Sequence, residues 1–292
     1  MVPRTPEVQK SLFVPLLFFL TGLAPFGVGT LLAGVAGFPL RPEVFLMGAA
    51  ALAALILAAW GSRLAFAPTL GRWPGQGLIS PDKARSLAYT ALGLAAALGL
   101  ILQFWARTGD WTIPLGGLGI FCSYFFFAPP LQWHQRGLGE LLGGLCVGIL
   151  PVAAGLYLQT GHLLTEGLIY GLPLTFAGFN LFLIHGFPQL EGEESPPPRS
   201  LAARVGPAGA ALIFTLVNIL TITGLVVALL FPANPLPFRI GFILLIILAV
   251  VNQEFIKRKD YRREAGLRRL CGFTLAQHLA MGLVYVISLW QR

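Results

Sequence analysis

Long apolar runs constrain this chain more than any other sequence feature. There are nine of them, and each is close to the roughly 20 residues that a helix needs to cross a hydrocarbon core about 30 Å thick. They cover approximately residues 11–35, 43–61, 86–106, 112–129, 139–160, 167–186, 208–231, 238–256 and 270–290. Because an open-ended element satisfies its own backbone in lipid only as a helix, the sequence predicts an all-α integral membrane protein with nine transmembrane helices.

The composition agrees with this class and bears on the choice of partners. Charged residues make up 11% of the chain, whereas soluble domains carry about a quarter. The net charge of +8 raises the question of nucleic-acid binding. In a membrane protein, however, Lys and Arg collect on cytoplasmic connections for reasons of insertion. We therefore expect the membrane as a partner and no nucleic acid.

The positive charge divides unequally between the two sets of alternating connections. Of the 20 Lys and Arg residues, 16 fall in the N-terminal segment and after the even-numbered runs, and four fall elsewhere. This asymmetry predicts a cytoplasmic N-terminus in a multi-pass protein of the cell inner (plasma) membrane. The long connections 62–85, 187–207 and 257–269 then lie on the cytoplasmic side, where we expect function to reside. We predict one transmembrane domain over residues 1–292.

Residues 124–161 contain a polar turn between two apolar runs. Pro129-Pro130 cannot continue a regular helix, so the first run ends there and the turn offers His134, Arg136 and Glu140. The second run opens on glycines spaced four residues apart, Gly139 and Gly143 followed by Gly144 and Gly148. Small residues at this spacing predict that another helix approaches closely.

Three passages carry a resemblance to a known family. They are Tyr124 with Ala128–Leu131, Gly137–Glu140 and Tyr157–Gly161; Arg72–Pro74 with Gly77–Pro81; and Pro188–Glu193 with Arg199–Leu201 and Arg204–Gly206. In this order they resemble the UbiA superfamily of intramembrane prenyltransferases. The first passage is most similar to the branch that makes demethylmenaquinone, the 1,4-dihydroxy-2-naphthoate prenyltransferases.

The resemblance implies a bundle of nine helices around a central cavity and a Mg²⁺-dependent reaction. The family transfers an isoprenyl group from a polyprenyl diphosphate to an aromatic acceptor, as in menaquinone biosynthesis. Carried over residue by residue, it implies that Tyr124 and His134 flank the acceptor as catalytic residues. The diphosphate-binding residues are then Arg63, Arg72, Arg136 and Arg199. The Mg²⁺ ligands are Glu191, Glu193 and Glu194.

Two departures from the family pattern leave activity open. The first aspartate-rich motif belongs at the cytoplasmic end of the second helix, where this chain reads Arg63 to Ala67, and no acidic residue occurs between Glu43 and Asp82. The second motif begins with Gln189 and carries glutamates in place of aspartates. The alternative is an inactive family member that binds a quinone, isoprenoid lipid or pigment, or serves as a subunit of a membrane complex.

Overall fold

A computed structural model describes residues 7–66, 79–187, 200–230 and 236–290, with side chains from residue 19 in the first helix and from residue 239 in the ninth. Ten α-helices follow one another along the chain. They are α1 Glu7–Val35, α2 Pro42–Phe66, α3 Pro81–Leu100, α4 Thr112–Phe125, α5 Gly139–Val147, α6 Ile149–Thr160, α7 Glu166–His185, α8 Leu201–Leu230, α9 Leu236–Lys257 and α10 Glu264–Trp290. A π-helical turn, Ile101–Trp105, continues α3, and short 3-10 turns occupy Trp133–Gln135 and Asp260–Arg262.

The described ranges are helical with connecting turns and contain no strand, which confirms the all-α prediction. Seven helical segments are long and apolar enough to cross a membrane, by length and composition. They are Pro42–Phe66, Pro81–Trp105, Gly139–Thr160, Glu166–His185, Leu201–Leu230, Arg239–Lys257 and Glu264–Trp290. Two shorter apolar helices, Phe19–Val35 and Thr112–Phe125, coincide with the first and fourth predicted spans. Nine spans, the cytoplasmic N-terminus and the central cavity therefore stay predictions.

Several predicted limits differ from the structure: α2 ends after its apolar run, and α3, α8 and α10 begin before theirs. Two further differences lie near the polar turn. Helix α4 ends at Phe125, before Pro129-Pro130, so the chain leaves the helix earlier than the prolines require. The run 139–160 is broken at Gly148, whose backbone angles (φ −118°, ψ −103°) are not helical. The hydroxyl of Thr175 on α7 compensates for the break, since it accepts a 2.9 Å hydrogen bond from the backbone N–H of Ile149. Broken helices persist in membranes where neighbouring groups satisfy the freed backbone in this way.

The described helices form two compact units. The first consists of residues up to 23 and residues 41–132. Its core is built from small side chains, because α2 and α3 bury mainly alanines: Ala54, Ala58 and Ala65 on α2, and Ala84, Ala88, Ala91 and Ala95 on α3. Alanines and glycines let helix backbones approach closely where lipid provides no hydrophobic drive for association.

The second unit consists of residues 24–40 and 133–292. Its larger apolar cluster joins α1, α6, α7, α8, α9 and α10 around residues such as Leu156, Leu174 and Tyr285. A smaller cluster gathers at the end of α7 and the beginning of α8 and α10, around Phe187, Ala202 and Tyr261. The prediction that one domain spans residues 1–292 stays a prediction.

Candidate functional site

The end of α2 in the first unit carries one predicted diphosphate-binding residue, Arg63. Its side chain is buried, with 9% of the residue exposed. The guanidinium carbon lies 5.7 Å from the centre of the Phe127 ring. A guanidinium over an aromatic face gains cation–π attraction, and this attraction grows when water is excluded. The ring of Phe127, which follows α4, therefore contributes to stabilising this buried charge.

Helices α2 and α3 cross beside Arg63 because Gly61 has no side chain. A Cβ atom at Gly61 would lie 2.9 Å from the carbonyl oxygen of Ala84 and 3.0 Å from the backbone nitrogen of Ala88. Such distances are too short for a carbon atom, so only glycine permits this crossing. The close approach places the beginning of α3 beside the end of α2.

The predicted catalytic residue Tyr124 lies at the end of α4, half-buried in the same unit. Its hydroxyl is 3.1 Å from the hydroxyl of Tyr89 on α3, and its ring meets Phe66 edge-on with centroids 6.0 Å apart. Arg85, one turn before Tyr89, places its guanidinium carbon 5.5 Å from the centre of the Phe66 ring. The structure thus brings Arg63 and Tyr124 into one region, where phenylalanine rings support two arginines.

Arg85 and Tyr89 were not among the predicted site residues. They lie four residues apart at the beginning of α3, so they share a helical face. That spacing, directly after the Gly77–Pro81 element, was the sequence signal that would have found them. The predicted diphosphate-binding residue Arg72 lies outside the described residues.

The second unit holds the predicted residues His134 and Arg136. His134 is half-buried in the 3-10 turn and Arg136 is exposed directly after it. The turn packs tightly against the beginning of α5, because a Cβ at Gly139 would lie 2.8 Å from the Cα of His134. The sequence placed both residues on one turn, and the structure agrees.

Glu140 lies on the first turn of α5 and connects α5 to α8. The residue is 4% exposed, and its Oε1 accepts a 2.9 Å hydrogen bond from the backbone N–H of Leu201, the first residue of α8. Its Oε2 is buried without a hydrogen-bond partner among the described residues. Arg204, one turn further along α8, donates from Nη2 to the carbonyl oxygen of Gln135 at 3.5 Å.

The predicted metal ligands Glu191, Glu193 and Glu194 lie outside the described residues, as does Arg199. The two ends of their loop are nevertheless close in space. A Cβ at Gly186, after α7, would lie 3.2 Å from Oγ of Ser200, before α8. Gly186 and Ser200, which flank the range 188–199 among the described residues, therefore lie beside each other.

The donor chemistry of the described residues bears on the Mg²⁺ that the resemblance implies. Mg²⁺ requires hard oxygen ligands, chiefly carboxylates, phosphate oxygens and water. Within the described ranges, no group of three His, Cys, Asp or Glu side chains is placed to hold a metal ion. At the end of α2 the sequence supplies Arg63 and no acid up to Asp82, so this position does not fit a metal.

The fold and its sites define a multi-pass helical membrane protein whose cationic and aromatic side chains cluster at helix ends. Residues 71–276 match the UbiA prenyltransferase family. The match covers more than half of the chain, and the chain belongs to this family. The resemblance found in the sequence is confirmed.

Two relatives share shorter stretches with this chain. Over 128 residues it is 34% identical to the 2-carboxy-1,4-naphthoquinone phytyltransferase of Synechocystis sp. (strain ATCC 27184 / PCC 6803 / Kazusa), covering 42% of this chain and 40% of the relative. Over 135 residues it is 23% identical to the 1,4-dihydroxy-2-naphthoate octaprenyltransferase of Bacillus subtilis (strain 168), covering 46% and 43%. The matched stretches span less than half the length of either relative.

Solved structures agree with the fold over nearly the whole chain. A UbiA homolog from Aeropyrum pernix K1 superposes with a TM-score of 0.71 at 17% identity, covering 92% of this chain and 97% of the homolog. A UbiA homolog from Archaeoglobus fulgidus, bound to DMAPP and Mg²⁺, gives 0.64 at 15% identity, covering 93% and 96%. At these identities the likeness establishes the fold alone.

Proposed function

We propose that this chain is an inner-membrane prenyltransferase that moves an isoprenyl group from a polyprenyl diphosphate to an aromatic acceptor of the naphthoate type. Family membership supports the reaction class, and both relatives named above are prenyl or phytyl transferases with naphthalene-ring acceptors. The Archaeoglobus fulgidus homolog binds DMAPP with Mg²⁺, which supports an allylic diphosphate as the donor here.

One structural observation carries the proposal in this chain. The 2.9 Å hydrogen bond from Leu201 to Glu140 joins the beginning of α5, which follows the turn that bears His134 and Arg136, to the first residue of α8. Residues on this turn and in the segment before α8 correspond to the family passages that handle acceptor and diphosphate. An ionisable residue buried between membrane helices is costly and commonly marks a functional site.

In the reaction, the bond between the first prenyl carbon and the diphosphate oxygen breaks, and its electron pair leaves with the diphosphate. A ring carbon of the acceptor forms the new carbon–carbon bond and then releases its proton. We assign Arg63, Arg72, Arg136 and Arg199 to the diphosphate and Tyr124 and His134 to the acceptor. Mg²⁺ held by Glu191, Glu193 and Glu194 would supply further positive charge to the leaving group. Fixed donors around that charge act most strongly where water is excluded.

The test uses the purified full-length chain in lipid nanodiscs. Labelled geranyl to longer polyprenyl diphosphates are offered with several aromatic acceptors, 1,4-dihydroxy-2-naphthoate among them. We expect Mg²⁺-dependent product that Glu191→Ala abolishes and that Glu166→Ala, on the connection predicted to face the other side, leaves unchanged. Absence of product with every pair, together with a co-purified quinone or isoprenoid lipid, would establish the inactive binding protein instead.

A further inference from the structure

The end of α2 is where this chain disagrees with the metal chemistry of its family. The nearest acid before Arg63 in sequence is Glu43, in the first turn of α2, about 30 Å away along the helix. The nearest acid after it is Asp82, which is 90% exposed and faces Arg85 at 3.8 Å. Glu43 is too distant to hold a cation at the end of α2, and Asp82 is already paired with the guanidinium of Arg85.

Cationic and phenolic donors occupy this position instead. The arginine–tyrosine cluster consists of Arg63, Arg85, Tyr89 and Tyr124. Its members are connected through ring contacts and the hydroxyl pair: Arg63 over Phe127, Arg85 over Phe66, Phe66 against Tyr124, and Tyr124 beside Tyr89. Three helix ends contribute to it, those of α2, α3 and α4. All of these residues belong to the first unit.

The chemistry of the cluster suits an anion with several oxygens. A guanidinium stacks on a ring through its face, while its N–H bonds lie in the plane and point towards acceptors beyond the ring. Two guanidiniums therefore provide forked donors that match phosphate oxygens. In the tyrosine pair one hydroxyl donates to the other, and the second proton is available to a further acceptor. Tyr89 is 51% exposed, so a ligand can reach this pair.

We propose that the arginine–tyrosine cluster binds the diphosphate of the prenyl donor directly, through guanidinium and phenol donors, where the family pattern calls for a metal-binding aspartate motif. The inference rests on the proposed function and deepens it by adding Arg85 and Tyr89 to the donor site. Glu191, Glu193 and Glu194 are then the only proposed ligands of the divalent ion. Two consequences follow: diphosphate binds without a divalent ion, and catalysis depends on a single class of metal site.

The first experiment measures binding in the absence of metal. The full-length chain in a maltoside detergent with EDTA is titrated with inorganic diphosphate and with geranyl diphosphate, by calorimetry and by thermal shift. We expect the wild type to bind both, and Arg85→Gln to weaken binding about tenfold, the loss that follows when one charged hydrogen-bond donor is removed. Tyr89→Phe, which keeps the ring and removes the hydroxyl, weakens binding by a smaller factor.

Matched variants keep this test decisive. Arg107 is an exposed arginine of the same unit beyond the other end of α3, so Arg107→Gln controls for a general loss of positive charge and should bind like the wild type. Arg63 is buried, so the binding measured for Arg63→Gln is interpreted only if this variant unfolds cooperatively. Arg85 is exposed, so Arg85→Gln should fold normally and is the variant that tests whether the cluster binds diphosphate. Unchanged binding in Arg85→Gln, or strict dependence of wild-type binding on Mg²⁺, would overturn the proposal.

A phospholipid headgroup offers the same phosphate oxygens as the prenyl donor. The titration is therefore repeated with short-chain phosphatidylglycerol in place of diphosphate. We expect diphosphate to bind more tightly and to displace the lipid. If the lipid raises the unfolding temperature through Arg85 while diphosphate has no effect, the cluster is a headgroup anchor and the proposal is wrong.

The second experiment separates this inference from the proposed function. Product formation is followed against free Mg²⁺, and we expect a Hill slope of about one, with a raised KM for the diphosphate in Arg85→Gln. If no acceptor reacts but metal-free binding still depends on Arg85, the proposed function fails and the binding site stands. If turnover is robust with a slope near two and Arg85→Gln has no effect on KM, the function stands and the inference fails.

Discussion

The Oε1 atom of Glu140 accepts a hydrogen bond from the backbone N–H of Leu201, a residue 61 positions later in the chain, at 2.9 Å. The carboxylate thereby satisfies one of the N–H groups that the beginning of a helix leaves without a partner. Ser200 satisfies another, since its Oγ accepts from the N–H of Ala203 at 3.2 Å. A negative charge at this position also interacts favourably with the helix dipole. The beginning of α8 is thus held by a residue of α5.

Removing this carboxylate should loosen the second unit. We expect Glu140→Ala to lower the free energy of unfolding by about 1–2 kcal/mol, because a buried N–H loses a charged acceptor. Glu140→Gln keeps an oxygen for Leu201 and should cost less. Thermal unfolding in detergent measures both. Glu264→Ala is the control, since its ion pair with Arg268 is exposed and such pairs contribute about 0–1 kcal/mol. Equal stability of Glu140→Ala and Glu264→Ala would contradict the role assigned to Glu140.

The close packing of α5 on α7 gives a second prediction. A Cβ at Gly144 would lie 2.7 Å from the carbonyl oxygen of Thr175 and 2.8 Å from the backbone nitrogen of Phe179. Gly144→Ala should therefore destabilise the protein by about 1–3 kcal/mol through overpacking. Gly272→Ala is the matched control, because a Cβ there meets nothing within 4 Å on the exposed side of α10. The unfolding midpoints of the two variants are compared with that of the wild type. A wild-type midpoint for Gly144→Ala would contradict the close contact between α5 and α7.

The packing glycines show what the sequence predicts well. The spacing of four predicted that another helix approaches closely, and Gly143, Gly144 and Gly148 meet α7, whereas Gly139 meets the turn at His134. The positions of the helices also followed from the apolar runs, although α3, α8 and α10 begin in the polar segments before their runs. The break at Gly148 did not, because it depends on a hydroxyl supplied by Thr175 from a different helix. Apolar periodicity carries no information about such a partner.

The candidate site was predictable in part for a similar reason. Arg63 and Tyr124 followed from the resemblance, and the structure places them in one aromatic region. The spacing of Arg85 and Tyr89 places them on one helical face, but their position beside Phe66 and Tyr124 depends on the crossing of α2 and α3 at Gly61. Glu140 was visible as a polar turn residue, but its partner Leu201 is distant in sequence. Contacts between residues so distant in sequence become visible only in the three-dimensional structure.

A buried amide pair between α9 and α10 gives a third prediction. The Nδ2 atom of Asn252 donates to Oε1 of Gln277 at 2.6 Å, and these residues are 0% and 3% exposed. Hydrogen bonds between membrane helices contribute about 0.6 kcal/mol on average and at most about 1.7 kcal/mol. In a double-mutant cycle with Asn252→Ala and Gln277→Ala, we expect a coupling energy in this range. A coupling energy of zero would show that the two amides stabilise their helices independently.

The orientation of the chain is the fourth prediction, and it decides from which side the substrates arrive. Lys257, Lys259 and Arg263 are exposed on the turn between α9 and α10, and His162 is exposed on the connection between α6 and α7. The positive-inside rule places the first group in the cytoplasm and the second outside. The native cysteines Cys122, Cys146 and Cys271 are first replaced, and single cysteines are then introduced as Lys259→Cys and His162→Cys.

A membrane-impermeant maleimide should label His162→Cys in right-side-out vesicles and Lys259→Cys only in inverted ones. The physical reason is the cost of moving several exposed cations across a membrane during insertion, which the basic turn would incur in the opposite orientation. The ring of Tyr261 on that turn packs against Phe187 with centroids 5.2 Å apart, so the label also reports the side of the membrane at which α7 ends. Labelling of Lys259→Cys from outside would invert the topology and require a donor diphosphate from the external leaflet.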